Sequence, residues 1–287
     1  MARIEEVKEH IPRSQTKKEK REQPALIKYY LVAYNVFSVV GWSYVLICTI
    51  IHLFALDTWH HSAPSSIFAT LSKKFASIPY FSTSPLFRPK STAWVEPYLH
   101  PALIPVVRRA TTVYARIGYQ ATIVQSFAIL EVLHSLLGWV RSPLTTTLMQ
   151  VSSRLYVVWG VLPLFPHTQS NPFVASAFLS WSITEVIRYT FYALNLLKIQ
   201  SSILLYIRYT AFYLLYPTGA SSEAFLILNS IPQTVPSGLH EYLRASLFTI
   251  WWPSLYVLYT HMIKQRRKIL GGGKGKGRTI GGKPKSL

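Results

Sequence analysis

Long apolar runs alternate with short polar segments over most of this sequence. Residues 29–56 carry no formal charge, and five further apolar segments follow residue 116. About 20 apolar residues are enough for an α-helix to span a bilayer, and hydropathy over windows of that length identifies such helices. The pattern therefore predicts an all-α, polytopic membrane protein.

Six membrane-spanning helices are predicted from these runs. They comprise residues 29–56, 117–140, 144–165 and 173–197, a fifth segment that starts near residue 199 and enters the stretch 215–223 at Tyr216, and residues 243–263. The fifth begins near Lys198 and places Tyr216 about 18 residues, or roughly 27 Å, further along its axis. In the first, Ser38 and Gly41 are small enough to permit close contact with another helix.

Composition changes at three places and sets the predicted domain boundaries. A polar tail covers residues 1–28, without the apolar core of a cleavable signal peptide. Residues 57–116 contain seven prolines and seven Lys or Arg residues, and we expect an insertion there with short helical pieces. A Gly/Lys-rich tail covers residues 269–287. Residues 29–268 form the predicted six-helix domain.

The net charge of +19 is concentrated towards the two ends of the chain. Nine Lys or Arg and no acid lie between residues 264 and 285, and eight Lys or Arg with five acids precede residue 29. Basic flanks favour the cytoplasmic side, where they contact anionic membrane lipids. We therefore expect both termini in the cytoplasm, where Lys283 and Lys285 resemble an endoplasmic-reticulum retrieval signal. No nucleic-acid-binding module accompanies the charge, so nucleic acid is not an expected partner.

A single cysteine, Cys48, limits the chemistry of sulfur in this chain. One cysteine excludes an internal disulfide and a paired-cysteine metal or redox site. The residues that follow Cys48 lack an arginine that could bind phosphate beside a reactive thiolate. We therefore expect Cys48 to have a packing role.

Three glutamates and three arginines interrupt the long apolar stretches of the sequence. They are Glu131, Arg154, Glu185, Arg188, Arg208 and Glu223. A charge at the centre of a membrane helix costs about 2.5–3.5 kcal/mol on insertion scales, so these side chains must face one another or a wet cavity. Glu185 and Arg188, three residues apart, lie on one helix face and can pair. For these two and Arg154, structural pairing and support of a substrate site are equally favoured, whereas a structural role is favoured for Glu131.

The sequence around Tyr216 interrupts the fifth apolar segment. Pro217 follows this tyrosine, Gly219 permits positive φ, and Glu223 lies seven residues after the tyrosine. If the helix continues through the proline, this spacing puts the phenol and the carboxylate on one face, two turns apart. We predict that the two form an acid/base pair in a membrane-embedded pocket. The alternative is a kinked helix with an interfacial tyrosine and a solvated glutamate.

Several separate motifs, in the same order along the chain, resemble one protein family. They are YN (34–35), GWS (41–43), LGWVRSP (137–143), QVSSR (150–154), WSITE (181–185) and YPTGASSE (216–223). This set is similar to the very-long-chain 3-hydroxyacyl-CoA dehydratases, also called protein-tyrosine-phosphatase-like membrane proteins. The resemblance covers residues 25–56 and 117–268.

The resemblance implies an endoplasmic-reticulum membrane protein whose six helices enclose an active-site cavity. It implies dehydration of very-long-chain (3R)-3-hydroxyacyl-CoA to trans-2-enoyl-CoA, the third step of the fatty-acid elongation cycle. The catalytic tyrosine and glutamate of the family match Tyr216 and Glu223. Besides the acyl-CoA substrate, the expected partners are the other enzymes of the cycle, namely the condensing enzyme, the ketoacyl reductase and the enoyl reductase.

Elimination of water needs a base for the proton α to the thioester and an acid for the leaving hydroxyl, with no metal or redox cofactor. We assign Glu223 as the base and Tyr216 as the acid, and the reverse assignment stays open. Gly219 is a candidate to supply backbone room or an amide for the thioester oxygen. Lys198 and Arg208 are candidates to guide the phosphates of CoA.

Two other functions compete with catalysis. Intramembrane Glu and Arg residues also mark ion pathways, so a transporter or channel is the main alternative. Many transporters contain two structurally related halves, each with an interrupted membrane helix. This sequence shows one interrupted apolar segment and no convincing internal repeat. A catalytically inactive scaffold for elongation enzymes is the third reading, although the intact Tyr216 and Glu223 pair argues against it.

Overall fold

The computed structural model of the protein describes residues 24–55, 96–140, 142, 144–232 and 238–270. Helices are the regular elements in these residues, in agreement with the predicted all-α class. Most of the predicted N-terminal tail, most of the loop predicted at 57–116, and the C-terminal tail with Lys283 and Lys285 lie outside the described residues.

Nine α-helices follow one another in the described part of the chain. They are α1 (Ala25–Phe54), α2 (Ile104–Ala110), α3 (Val113–Ser126), α4 (Ile129–Leu136), α5 (Leu144–Leu155), α6 (Phe173–Leu196), α7 (Ser202–Arg208), α8 (Phe212–Asn229) and α9 (Leu239–Leu270). A π-helical segment, Tyr156–Val161, continues α5. Short 3-10 helices occupy Glu96–Tyr98, Pro101–Leu103 and Pro166–Ser170.

Among the described helices, α1 is the one that is long and apolar enough to cross a membrane. It begins at Ala25 rather than at residue 29. The second predicted span is divided between α3 and α4, because a tight turn in which Ala128 donates to the carbonyl of Gln125 separates them. The third, fourth and sixth predicted spans correspond to α5 with its π-helical segment, to α6 and to α9.

The predicted fifth segment consists of two helices, α7 and α8. The carbonyl of Ile207 accepts the amides of Thr210 at 3.1 Å and Ala211 at 2.8 Å, which ends α7 in a tight turn. The prediction of one helix that carries Tyr216 roughly 27 Å beyond its start is therefore wrong. Because α8 begins at Phe212, this tyrosine lies about 6 Å from the start of its helix. The turn contains neither glycine nor proline, and the apolar pattern continues through it. The sequence therefore gives no indication that the helix is interrupted there.

Helix α6 lies at the centre of the arrangement. It packs against α1 and against α8, while α9 covers α8 and α3 contacts α1. Small buried residues of α6, including Ala177 and Ser182, let the neighbouring helices approach closely. Cys48 packs against the core, as expected from the sequence. Large buried side chains fill the spaces between these helices, among them Trp42, Val45, Phe178, Leu226 and Ile227.

Helices α1 and α3 approach each other closely at Gly41. A Cβ atom at this position would lie 3.1 Å from a methyl carbon of Val124. Ser38, about one turn earlier on α1, is buried and donates to the carbonyl of Tyr34 at 2.9 Å. The expectation of close helix contact is confirmed at Gly41, and Ser38 is buried as such a contact requires.

Replacing Gly41 with valine should weaken the contact between α1 and α3. The new side chain overlaps Val124, and overpacking of this kind costs about 1–3 kcal/mol. Thermal unfolding of the purified protein in lipid nanodiscs should therefore give a lower Tm for Gly41→Val than for the wild type. Val40→Phe enlarges an adjacent, mostly exposed side chain and should leave Tm unchanged. A wild-type Tm for Gly41→Val would show that this contact is not tight.

Candidate active site

Helix α8 carries both residues of the predicted acid/base pair. The helix runs from Phe212 through Pro217 to Asn229 without interruption. Tyr216 and Glu223 therefore lie on one face, two turns and about 10 Å apart along the axis. The helix continues through the proline, as the predicted shared face requires, and Glu223 is 7% exposed rather than solvated.

Side-chain hydroxyls hold α8 against α6. The hydroxyl oxygens of Ser180 and Thr218 are 3.0 Å apart, and Ser222 donates to Ser176 at 2.8 Å. Gly219 lies beside these contacts, where an added Cβ atom would be 3.4 Å from the Cβ of Ser180. The short side chains on both helices thus set how closely α8 approaches α6.

Gly219 is helical and does not adopt the positive φ that its sequence permits. An amide inside an α-helix donates to the carbonyl four residues earlier, so the Gly219 amide is committed within α8. Its position therefore does not support the predicted contact with a thioester oxygen. We assign Gly219 to close helix packing instead.

Glu223 is held by a tryptophan N–H group. Trp181 on α6 donates to one carboxylate oxygen at 2.7 Å, and the Trp251 indole on α9 lies near the same carboxylate. Glu223 and Trp181 are both buried, with 7% and 2% of their surfaces exposed. A hydrogen bond to a charged acceptor is short and strong, so the indole of Trp181 fixes the orientation of this carboxylate.

Four charged side chains from three helices form one network. Arg188 donates to both carboxylate oxygens of Glu131, at 2.6 and 2.8 Å, and its guanidinium lies 2.6 Å from Glu185. Arg154 donates to the other oxygen of Glu185. Tyr189 donates its hydroxyl to Glu131. The network thus joins α4, α5 and α6.

The predicted pairing of Glu185 with Arg188 is confirmed, and the expected pairing of charges holds for all four members of this network. The most exposed member, Arg188, retains 24% of its side-chain exposure, and Glu185 retains 3%. Removing one partner of such a pair leaves an uncompensated charge and typically costs about 3–5 kcal/mol. The network therefore fixes the relative positions of its three helices.

Arg154 connects the charge network with the predicted catalytic pair. Its guanidinium carbon lies 5.7 Å from the ring centre of Trp181, the residue that donates to Glu223. Arg154 also interacts electrostatically with the Tyr216 phenol and with the Glu223 carboxylate. One fixed positive charge thus acts on both candidate proton-transfer groups.

Arg208 lies outside the charge network. This residue ends α7, and its guanidinium carbon lies 4.4 Å from the ring centre of Phe191 and 4.7 Å from that of Tyr192. Lys198, the other candidate for phosphate binding, follows α6 in a left-handed conformation with φ of 62°. The structure therefore groups Glu131, Arg154, Glu185 and Arg188 in one network and places Arg208 in an aromatic environment.

Trp181 is a site residue that the sequence did not single out for chemistry. Its motif drew attention to the segment, but the direction of the indole N–H depends on packing between helices whose contacting residues are 42 positions apart. The sequence did contain one indication of this contact. A buried tryptophan N–H needs a hydrogen-bond acceptor, and the few carboxylates in the apolar segments are candidate acceptors.

Comparison with known proteins assigns the chain to a family. Residues 125–272, which contain α4 to α9, match the family model of the protein tyrosine phosphatase-like proteins, PTPLA. The Caenorhabditis elegans very-long-chain (3R)-3-hydroxyacyl-CoA dehydratase hpo-8 is 35% identical over 265 residues, 87% of this chain and 98% of the relative.

Two further relatives match shorter parts of the chain. A Schizosaccharomyces pombe protein named "Probable very-long-chain (3R)-3-hydroxyacyl-CoA dehydratase" is 47% identical over 148 residues, 51% of this chain and 71% of the relative. The dehydratase PASTICCINO 2A of Oryza sativa subsp. japonica is 39% identical over 177 residues, 56% of this chain and 80% of the relative. No solved structure matches the chain. The family match over half of the sequence and the nearly full-length match to the worm protein show that this chain belongs to the protein tyrosine phosphatase-like, PTPLA, family.

Proposed function

We propose that this protein dehydrates very-long-chain (3R)-3-hydroxyacyl-CoA to trans-2-enoyl-CoA, the third step of fatty-acid elongation. The names of its relatives support this reaction, and the worm relative is matched over nearly its whole length. The observation that carries the proposal is the placement of Tyr216 and Glu223 on one face of α8, both within the field of Arg154. A phenol and a carboxylate can supply the two proton transfers that dehydration requires.

Glu223 is the base in the proposed mechanism. Its carboxylate takes the proton from the carbon α to the thioester, and the bond between the β-carbon and its hydroxyl breaks. Tyr216 donates its proton to the leaving hydroxyl, which departs as water. Glu223 then carries a proton and Tyr216 a negative charge. Transfer of this proton to the phenolate through water restores both groups.

Arg154 stabilises the negative charge that this cycle creates on Tyr216. A guanidinium that is already in place lowers the energy of developing charge without reorganising during the reaction. The hydrogen bond from Arg154 to Glu185 holds it in place, and Arg188 in turn links Glu185 to Glu131. These last three residues thus act by positioning Arg154 and by joining helices.

We further propose that the protein spans the endoplasmic-reticulum membrane six times, with both termini in the cytoplasm. The length and apolar character of α1 support a membrane location. Large apolar side chains are also exposed on other helices, as at Leu214 on α8 and Val257 on α9, which suits contact with lipid. The other enzymes of the elongation cycle are the proposed protein partners.

Tyr216→Phe and Glu223→Gln should each lower kcat for dehydration by about 10²–10⁴-fold, the contribution typical of one positioned acid or base. The measurement is formation of enoyl-CoA from a long-chain 3-hydroxyacyl-CoA by purified protein in nanodiscs. Tyr206→Phe and Glu96→Gln remove the same groups elsewhere and should retain wild-type activity.

Size-exclusion profiles and Tm values establish that these variants are folded. Near-normal turnover by both Tyr216→Phe and Glu223→Gln would rule out the proposed pair. A folded wild-type protein that forms no enoyl product would favour a transporter or an inactive scaffold.

Trp181→Phe should lower kcat at least about tenfold and leave KM nearly unchanged. The phenylalanine keeps an aromatic ring beside Arg154 but removes the N–H that orients Glu223, and a hydrogen bond to a charged group contributes about 1.5–3 kcal/mol. Trp252→Phe makes the same change at a partly exposed position of α9 and serves as the control. Unchanged kcat for Trp181→Phe would show that the indole N–H does not orient the base.

Protease added to sealed microsomes should remove epitope tags from both termini of the protein. The reason is that basic segments near both ends favour the cytoplasmic face. A lumenal marker protein that stays protected in the same sample controls for vesicle integrity. Protection of either tag would contradict the proposed topology.

A further inference from the structure

Two arginines near the start of α8 lack a carboxylate partner among the described residues. Arg108, Arg154 and Arg188 each form an ion pair with a glutamate. Arg208 and Arg266 form none within the described part of the chain. A guanidinium cannot lose its charge in a protein, so these two charges are not neutralised by a carboxylate in the described part of the chain.

Aromatic rings hold Arg208 without neutralising it. Its guanidinium lies over the rings of Phe191 and Tyr192, and one terminal nitrogen donates to the Tyr192 hydroxyl at 3.2 Å. The other terminal nitrogen, Nη1, is buried and has no hydrogen-bond partner. A buried donor without an acceptor typically costs about 1–3 kcal/mol, and more when it is charged. The side chain is therefore fixed in position with one donor unused.

Two more unused donors lie near the same turn. The hydroxyl of Thr210, in the turn after α7, is buried and has no hydrogen-bond partner. The buried Nε of Arg266 on α9 also lacks one, and this guanidinium lies 5.5 Å from the ring centre of Tyr213. Tyr213 stacks on Phe212 at 4.4 Å in the first turn of α8. Arg208 and Thr210 thus lie at the turn that leads into α8, Arg266 lies beside Tyr213 in the first turn of α8, and each of the three carries an unsatisfied donor. We call these three residues the arginine cluster.

We propose that the arginine cluster binds phosphate oxygens of the CoA portion of the substrate. This inference rests on the proposed dehydratase function. Guanidinium groups bind phosphate through paired, charge-assisted hydrogen bonds, and a hydroxyl adds a third donor. The phosphates are the anionic part of acyl-CoA. Their oxygens can accept hydrogen bonds from the donors that have no partner in the protein.

The position of the cluster relative to the catalytic pair suits this role. Arg208 lies eight residues before Tyr216, and its charge acts on the Tyr216 phenol. In acyl-CoA, the pantetheine arm separates the phosphates from the thioester. Phosphates held at the turn before α8 therefore direct the thioester along α8 towards Tyr216 and Glu223.

A comparison of two thioesters tests the cluster. One is a long-chain 3-hydroxyacyl-CoA, and the other carries the same acyl chain on N-acetylcysteamine, which has no phosphate. In phosphatidylcholine nanodiscs, Arg208→Gln and Arg266→Gln should each raise KM for the CoA thioester about tenfold to hundredfold, as expected for one charge-assisted contact. The effect on the N-acetylcysteamine thioester should be much smaller. Arg267→Gln removes an exposed charge from the next residue of α9 and should change neither KM.

Inhibition by free CoA gives a second readout that does not depend on the CoA thioester. Free CoA should inhibit wild-type turnover of the N-acetylcysteamine thioester, and both cluster variants should weaken this inhibition by the same factor as they raise KM. Equal losses on the two thioesters would overturn the proposal, because they would indicate a structural role. An effect seen only with anionic lipids would also overturn it and would identify a lipid phosphate as the ligand. A wild-type protein that dehydrates neither thioester would instead contradict the dehydratase function.

Discussion

Four paired charges, one buried and three half-buried, determine how the helices around the site are arranged. Separately, the charges of Glu131, Arg154, Glu185 and Arg188 would each be costly in an apolar environment, and together they compensate one another. Compensation requires α4, α5 and α6 to meet with their charged positions at one level. Arg154, which this network holds in place, also acts electrostatically on Tyr216 and Glu223 of α8.

Close packing of α8 against α6 positions the site relative to the charge network. The residues at this contact are small, namely Ser180, Thr218, Gly219 and Ser222. Larger side chains at these positions would push the two helices apart. The short distance brings the indole of Trp181 to Glu223. Placement of the catalytic candidates thus depends on side chains that take no part in proton transfer.

Much of this arrangement follows from local sequence. Apolar runs located most helices, and the spacings of three and seven residues located the Glu185–Arg188 pair and the shared face of Tyr216 and Glu223. The partner of Arg188 on α4 lies 57 residues away, and no local pattern encodes such a contact. The break between α7 and α8 was missed because it lacks glycine and proline, and the indole donor because its direction is set by packing.

The charge network is synthesised before the helix that carries the candidate catalytic residues. All of its members, and Trp181, precede α8 in the sequence, and chains fold from the N-terminal side during synthesis. The network can therefore close while α8 is still in the ribosome. When α8 arrives, Glu223 meets a donor that is already oriented and exchanges water for an indole in one docking step. A nascent chain that ends at α7 therefore holds the charge network and Trp181, and α8 then supplies Tyr216 and Glu223 before α9 covers them.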